Sequence, residues 1–430
     1  MTLDSLPRIQ ESPSRAPLAI LCTFLLFEYL RIHDILPILN MLKLQTGISL
    51  ALLTIVIMET ARKGLSLPRQ SRLLLGFLGL TVFTILQASN WYFAYQFSYN
   101  LMLTLIAYFA ITHVIQNPQD LRRFLAVLVA IHIYLAFKVI LGYNPEGFSE
   151  YGYQTGFEAG SNFLGDENDV ALAMVLILPL GIYLFRVSRS LLGRLTWGIG
   201  SMAILLCIVF TYSRGGFLGL MGILLYSVLK GQNRRKAIVG IALAATLIIA
   251  VAPSSYWDRI KTLQQTDSGT ALERKNFWTA GFRMFRDSPV WGVGGRNFGL
   301  LLPDYALDDS PDRRLTRWGR SAHSLYVQLL AEFGLIGLGL IASLLIQNFR
   351  DLRQIISTRR KGRCSASVGE LAESLQQSWV GFLIPAAFLS VLEYPHMYFL
   401  TALTVVAHGL ARVEQLPWGT KQVGSLEESG

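Results

Sequence analysis

An arginine between two apolar runs is the first residue whose type and position suit chemistry. Arg214 follows Tyr212 and Ser213, and glycines follow it at 215, 216, 219 and 222. A helix with one such smooth face packs closely, and its free N-terminal N–H groups favour an anion. Tyr212, Ser213 and Arg214 are therefore candidates for phosphate binding. The alternative is a boundary arginine that only extends to water.

A second basic candidate is Glu273-Arg274, which precedes Phe277, Trp278 and a Pro- and Gly-rich stretch at 289–295. The alternative for Arg274 is a solvated side chain on an amphipathic surface helix. The surrounding segment, 253–322, holds eleven Lys or Arg against eight Asp or Glu. A net positive surface of this kind suits an anionic, lipid-linked substrate.

A histidine opens the next apolar run. His323, with Ser324 and Tyr326 beside it, is followed by Gly334 and Gly337. On a continuous helix of about 100° per residue, both glycines return to within about 40° of the histidine. Imidazole accepts a proton from an attacking hydroxyl at neutral pH, so His323 is a candidate base and Ser324 and Tyr326 are candidate substrate contacts. The alternative is a polar anchor at a span terminus.

Polar residues also precede an apolar run near residue 168. Asp166, Glu167 and Asn168 are ordinary helix-start residues, but they also suit substrate contact. We keep both interpretations for Asp166 and Asn168, and Asp166 or Glu167 could steer an acceptor.

The composition defines the solvent in which these residues must be positioned. Of 430 residues, 52% are hydrophobic and only 15% are charged, which does not suit a soluble surface. The net charge of +10 is gathered in clusters between apolar runs, which favours anionic membrane lipids as partners and not nucleic acid. Cys22, Cys207 and Cys364 have no metal or disulfide spacing, so we expect no metal and no cofactor.

Apolar runs long enough to cross a membrane as helices recur along the chain. We predict an all-α polytopic membrane protein with about twelve transmembrane helices, without a cleaved signal peptide. The predicted spans are 17–30, 44–60, 73–88, 98–115, 124–142, 168–185, 195–211, 215–229, 237–252, 324–348, 376–393 and 397–411.

Charge sets the predicted orientation. Five connecting segments are rich in Lys and Arg, and all five fall on one side. The positive-inside rule makes that side, and both terminal tails (1–16 and 412–430), cytoplasmic. Helices one to nine then occupy 17–252, a long periplasmic loop with short helices occupies 253–322, and helices ten to twelve occupy 323–411.

These motifs, in this order, resemble the O-antigen ligase and Wzy-type polymerase superfamily. The resemblance rests on Tyr212-Ser213-Arg214, on the long loop with Glu273-Arg274, and on His323-Ser324 followed after nine residues by Gly334-x-x-Gly337. It covers roughly residues 160–340, and the topology extends it to the whole chain.

The resemblance implies a GT-C type fold and metal-independent transfer of a glycan from undecaprenyl diphosphate to an acceptor hydroxyl, at the periplasmic face of a bacterial inner membrane. Arg214 and Arg274 would hold the diphosphate, and His323 would act as the base or position the acceptor. Lipid A core or another glycan is the implied acceptor.

Three outcomes within the superfamily stay open: an O-antigen ligase, a polymerase of O-antigen or exopolysaccharide, and a protein O-glycosyltransferase. We favour the ligase because of the histidine motif, with the polymerase as the alternative. A different class is an inorganic carbon transporter, which some relatives have been described as. Transporters concentrate ionisable residues near the midplane, where this chain carries little beyond Glu28, Lys138 and Glu393.

Overall fold

A computed structural model of the protein describes residues 15–30, 37–63, 67–142, 164–230, 234–251, 257, 270–306 and 318–415. Within these ranges the chain is helical and contains no β-strand, which confirms the all-α prediction. The helices are α1 (Ala16–Leu30), α2 (Pro37–Met41), α3 (Leu44–Lys63), α4 (Arg69–Thr84), α5 (Trp91–Val114), α6 (Pro118–Leu141), α7 (Glu167–Val187), α8 (Leu191–Phe210), α9 (Arg214–Lys230), α10 (Arg234–Val251), α11 (Thr270–Asp287), α12 (Phe298–Tyr305), α13 (Leu325–Arg360), α14 (Ala366–Leu383) and α15 (Pro395–Gln415).

Several of these helices are long and apolar enough to cross a membrane. Six described helices meet that criterion by length and composition, and they make the chain an integral membrane protein. They are Leu44–Arg62, Trp91–Val114, Pro118–Leu141, Glu167–Val187, Leu191–Phe210 and Leu325–Arg360. Every predicted span overlaps a helix, while the count of twelve crossings stays a prediction.

The predicted span at 376–393 was wrong in its boundaries. α14 begins at Ala366 and ends at Leu383, and a short 3-10 helix, Pro385–Phe388, follows it. Proline lacks the N–H that would continue the pattern of α-helical hydrogen bonds, so α14 ends before Pro385. Glu393, which we had placed near the middle of the membrane, therefore lies in the turn before α15.

The centre of the bundle is α7, which is buried along most of its length because its sequence is apolar on every side. It packs against α8, α9 and α14. The glycines of α9 allow this contact: a Cβ at Gly216 would lie 2.7 Å from Ala171 Cβ. The predicted close packing of the glycine stripe is thus confirmed.

The helix α13 is broken near its start, and a loop is bonded to the break. Gly334 has φ 58° and ψ −156°, outside helical geometry. Four backbone bonds of 2.9 to 3.3 Å join the break to the loop after α11. Their donor and acceptor pairs are Val293 to Ala331, Gly294 to Glu332, Leu335 to Pro289 and Ile336 to Val290. The loop thus satisfies groups that the interrupted helix leaves unpaired.

The predicted loop at 253–322 contains α11 and α12, in agreement with the expected short helices. The two helices share a small apolar cluster with the start of α13. Its members include Phe277, Met284, Phe298, Leu302 and Val327. This cluster, with the bonded loop, holds the segment against one end of the bundle. The side of the membrane on which it lies stays a prediction.

Candidate active site

One cavity of about 380 Å³ brings together most of the predicted site residues. Its lining includes Asp166, Asn168, Arg214, Arg274 and His323. They come from the starts of α7 and α9, from α11, and from the turn before α13. Residues far apart in sequence therefore face one space. We call this space the arginine cavity.

Arg214 is the first residue of α9, and the two residues before it fix its position. Ser213 Oγ accepts from the Gly216 amide at 3.1 Å and donates to Asn168 Oδ1 at 2.7 Å. The first bond caps α9, and the second ties its start to the start of α7. Tyr212 is buried and has φ 55°, so it turns the chain. Tyr212 and Ser213 thus support Arg214 and do not line the cavity.

Capping and cavity lining coincide at the start of α7. The Asn168 amide donates to Asp166 Oδ1 at 2.7 Å, which is the expected cap. The Asn168 side-chain amide donates to the same oxygen at 2.8 Å and to Glu167 at 3.2 Å. The capping interpretation is therefore confirmed, and substrate contact by these residues stays a prediction.

Arg274 lies on α11 with its guanidinium half-buried above the ring of Phe388, 5.8 Å from the ring centroid. Burial lowers the pKa of Arg274, the nearby charge of Arg214 lowers it further, and Asp166 raises it. Both guanidinium groups remain charged at neutral pH. An anion between the two guanidinium groups would offset their repulsion and accept hydrogen bonds from several of their N–H groups.

His323 sits in the turn before α13, with φ 46°. Its ring stacks on Phe277 of α11, with centroids 6.1 Å apart and planes 19° from parallel. The neighbouring carbonyl of Ala322 accepts from Trp278 Nε1 at 3.2 Å. The unusual backbone conformation is thus stabilised by α11, the same helix that carries Arg274.

The charges around His323 favour a neutral imidazole. Burial lowers the pKa of His323, and the positive charges of Arg274 and Arg320 lower it further. The carboxylates of Asp166 and Glu273 act in the opposite direction. The net result is a histidine that is ready to accept a proton at neutral pH.

Several lining residues escaped the sequence analysis. Arg320 pairs with Glu273 at 3.3 Å, and the Tyr394 hydroxyl donates to Asp169 Oδ2 at 3.0 Å. Ser390 and Tyr394 come from the turn before α15, which the misplaced span had hidden. The sequence did offer a signal for Arg320, because this basic residue lies only three positions before His323. The arginine cavity is therefore of mixed charge, with carboxyl groups on its α7 side.

The two predicted substrate contacts beside His323 also lie outside the arginine cavity. Ser324 is buried and caps α13 by accepting from the Val327 amide. The Tyr326 hydroxyl donates to the Leu383 carbonyl at 2.8 Å, which ties α13 to α14. The prediction of one continuous helix face below His323 was also wrong, because the helix begins after His323 and breaks at Gly334.

These observations define a class: an all-helical membrane protein with a cavity at the helix ends, lined by arginines, a histidine and carboxyl groups. Residues 199–342, about a third of the chain, match the family model described as O-antigen ligase. This segment is thus similar to the O-antigen ligase and Wzy-type superfamily, which confirms the predicted resemblance. No curated protein matches the chain.

The matched segment contains Arg214, Arg274, His323 and the helix break at Gly334. It leaves out the start of α7 and the turn before α15, which supply the remaining walls of the arginine cavity. The match supports an O-antigen ligase-like or polymerase-like membrane enzyme.

Proposed function

We propose that the chain transfers a glycan from undecaprenyl diphosphate to an acceptor hydroxyl, as an O-antigen ligase does. One observation carries the proposal: Arg214, Arg274 and His323, from three separate parts of the chain, line one cavity. The first two suit a diphosphate and the third suits an acceptor hydroxyl. The family match supports the reaction class.

The arginines bind the diphosphate and stabilise its departure. A guanidinium group presents several N–H donors in a plane, which matches the oxygens of a phosphate. Negative charge grows on the diphosphate as the glycosidic bond breaks, so donors fixed beforehand lower the barrier. Carboxyl groups of α7 also line the cavity, and like charges repel, so the diphosphate binds to Arg214 and Arg274 and not to the carboxyl groups.

His323 takes the proton of the acceptor. The acceptor oxygen forms a bond to the anomeric carbon, and the bond from that carbon to the diphosphate oxygen breaks with its electron pair. The proton moves to the imidazole, and the diphosphate leaves as an anion held by the arginines. No metal or cofactor enters this scheme.

The charge pattern of the connecting segments supports a periplasmic site in a bacterial inner membrane, with both termini in the cytoplasm. A lipid-borne donor reaches such a site from the bilayer, and anionic lipids meet the basic clusters of the other side. Lipid A core is the proposed acceptor.

The experiment that tests the proposal is glycan transfer by the purified protein in nanodiscs. Lipid-linked glycans extracted from the bacterium that makes the protein serve as donor, with and without lipid A core. We expect transfer to the core, and a loss of about a hundredfold or more when Arg214, Arg274 or His323 is replaced by Ala. Arg123→Ala is the matched control, because that arginine pairs with Asp120 at the start of α6.

Other outcomes would change the conclusion. Lengthening of the donor glycan without core would identify a polymerase with the same site. Full transfer by Arg214→Ala would exclude the proposed diphosphate site. No transfer, together with solute uptake in proteoliposomes, would favour the transporter.

A further inference from the structure

A second cavity, of about 350 Å³, lies beside the arginine cavity. The two share Arg320, Ser321 and Ser390 in their linings. A ligand with its phosphates near Arg214 and Arg274 could therefore extend past these shared residues into the second space. The sequence analysis assigned nothing to it.

Two polar atoms in the second cavity lack a partner within the described chain. Gln328 donates its Nε2 to Glu332 at 3.1 Å, but its Oε1 is buried without a hydrogen bond. Ser390 Oγ is likewise buried and unbonded. Leaving such groups unpaired costs free energy. A ligand that supplies hydroxyl groups would satisfy both.

The charged side chains that line this cavity already have partners within the chain. Arg296 contacts Glu393 through Nε and Nη2, at 2.6 to 3.0 Å, and donates to Gln96 Oε1 at 3.1 Å. Glu332 accepts from Gln328 and from the Phe298 amide. Paired charges give little attraction for a phosphate, so the surroundings favour a neutral, hydroxyl-rich ligand.

Aromatic surface lines the same space. Trp318 is 59% exposed and faces the cavity together with Phe93. A sugar ring has one apolar face of C–H groups and a rim of hydroxyl groups. Ligand sites commonly combine such apolar surface with a few placed polar groups, and here Trp318 offers the surface while Gln328 and Ser390 offer the polar atoms.

We propose that the second cavity is a saccharide subsite, in which Gln328 Oε1 and Ser390 Oγ bond the hydroxyls of a sugar that packs on Trp318. The inference rests on the proposed function, because it seats a sugar of the donor or of the acceptor beside the diphosphate. The three shared residues, Ser390 among them, lie where the sugar and the diphosphate of the substrate would join.

The test compares four probes by equilibrium binding to the protein in nanodiscs. They are the extracted lipid-linked glycan, the same glycan released by mild acid, undecaprenyl diphosphate without sugar, and lipopolysaccharide that lacks O-antigen. We expect Gln328→Met and Ser390→Ala each to weaken binding of a glycan probe about three- to tenfold, the value of one or two lost hydrogen bonds. Binding of sugar-free undecaprenyl diphosphate should not change.

Matched controls separate this effect from a general loss of structure. Ser378→Ala removes another buried, unbonded hydroxyl group. Gln376→Met removes the side-chain amide of a second glutamine, and both residues lie on α14. Neither residue lines the second cavity, so both variants should bind every probe as the wild type does. Trp318→Ala should weaken the same glycan probe that the Ser390 variant weakens.

The probes also distinguish the source of the sugar. Weaker binding of the lipid-linked and released glycans assigns the subsite to the donor, and weaker binding of lipopolysaccharide assigns it to the acceptor. The proposal is overturned if the variants bind all glycan probes like the controls, or if they lose sugar-free undecaprenyl diphosphate equally. If the wild-type protein binds the released glycan but not undecaprenyl diphosphate, the proposed diphosphate site is refuted and the saccharide subsite is supported.

Discussion

The Ser213 hydroxyl donates to Asn168 Oδ1 at 2.7 Å, across 45 residues of sequence. This bond joins the start of α9, where Arg214 lies, to the start of α7. Because Asn168 also donates to Asp166, one short chain of hydrogen bonds connects the arginine and carboxyl walls of the cavity. The position of Arg214 thus depends on residues that need not touch the substrate.

Removing this bond should reduce transfer without unfolding the protein. We expect Asn168→Ala to lower kcat/KM about tenfold, since a guanidinium group that is no longer fixed stabilises the leaving diphosphate less well. Ser213→Ala should do the same and also cost about 1 kcal/mol through the lost cap. The double variant should lose little more kcat/KM than either single one. Additive losses in a steady-state assay would show that the two side chains act independently.

The acid limb of the pH profile should report His323. Its pKa is lowered by burial, Arg274 and Arg320, and is raised by Asp166 and Glu273. A base acts only when unprotonated, so kcat/KM should fall with decreasing pH only below the usual histidine value of about 6.5. Arg320→Gln removes a positive charge and frees the carboxylate of Glu273. The limb should then move to higher pH.

Rate profiles of the purified protein between about pH 5 and about pH 9 measure this shift. Arg283→Gln is the control, because that arginine lies on α11 but donates to the Tyr305 carbonyl, away from the arginine cavity. An unchanged limb in the Arg320 variant would exclude His323 as the group that titrates. A limb that disappears in His323→Ala would support its role as base.

Much of the site was visible in the sequence because its residues open or precede apolar runs. Arg214 and His323 each stand at such a boundary, Arg274 lies in the long basic loop between two spans, and the alternation of basic clusters predicts that all three face one side. Asp166 and Asn168 follow from the same logic. Composition, charge and motif position thus identified five of the residues that line the arginine cavity, namely Asp166, Asn168, Arg214, Arg274 and His323.

The remaining part of the site depends on backbone geometry, which the hydrophobic periodicity of the sequence does not encode. Gly334 fits a helical pattern, so its positive φ and the loop bonded to it were not predictable from the apolar run. Pro385 did signal a helix end, but the apolar residues after it masked the turn that carries Ser390 and Glu393. The second cavity, which depends on both features, was consequently missed.

The pair of Arg296 and Glu393 should stabilise the turn before α15. The two side chains are 35% and 19% exposed and share contacts of 2.6 to 3.0 Å. We expect Glu393→Gln to cost about 1–2 kcal/mol, as charge-assisted hydrogen bonds are lost. Thermal unfolding in detergent measures the effect.

The control for this prediction is a longer ion pair elsewhere in the chain, in which only the arginine is exposed. Glu59 lies 3.9 Å from Arg62, whose side chain is 72% exposed, so Glu59→Gln should change stability by less than about 0.5 kcal/mol. Equal losses of stability in the two variants would mean that the Arg296–Glu393 pair stabilises the protein no more than the longer Glu59–Arg62 pair does.

The break in α13 should tolerate no side chain at Gly334. With φ 58° and ψ −156° this residue occupies a region that is almost exclusive to glycine, and a Cβ there would lie 2.5 Å from the Val290 carbonyl oxygen. Gly334→Ala should therefore destabilise the protein by about 1–3 kcal/mol from backbone strain, and more from the overlap. Gly339→Ala is the matched control on the same helix, since nothing lies within 4 Å of its added Cβ.

The consequence for activity follows from what the break holds. If Gly334→Ala displaces the bonded loop, α11 shifts with it, and Arg274 and the Phe277 ring that stacks on His323 move out of place. Transfer per folded molecule should then fall as well, so that the loss of activity exceeds the loss of folded protein. The measurement uses the folded fraction isolated by size exclusion. A Gly334 variant as stable and active as the Gly339 variant would show that the loop is held by the apolar cluster around Phe298 alone, since the backbone bonds to the break would then be dispensable.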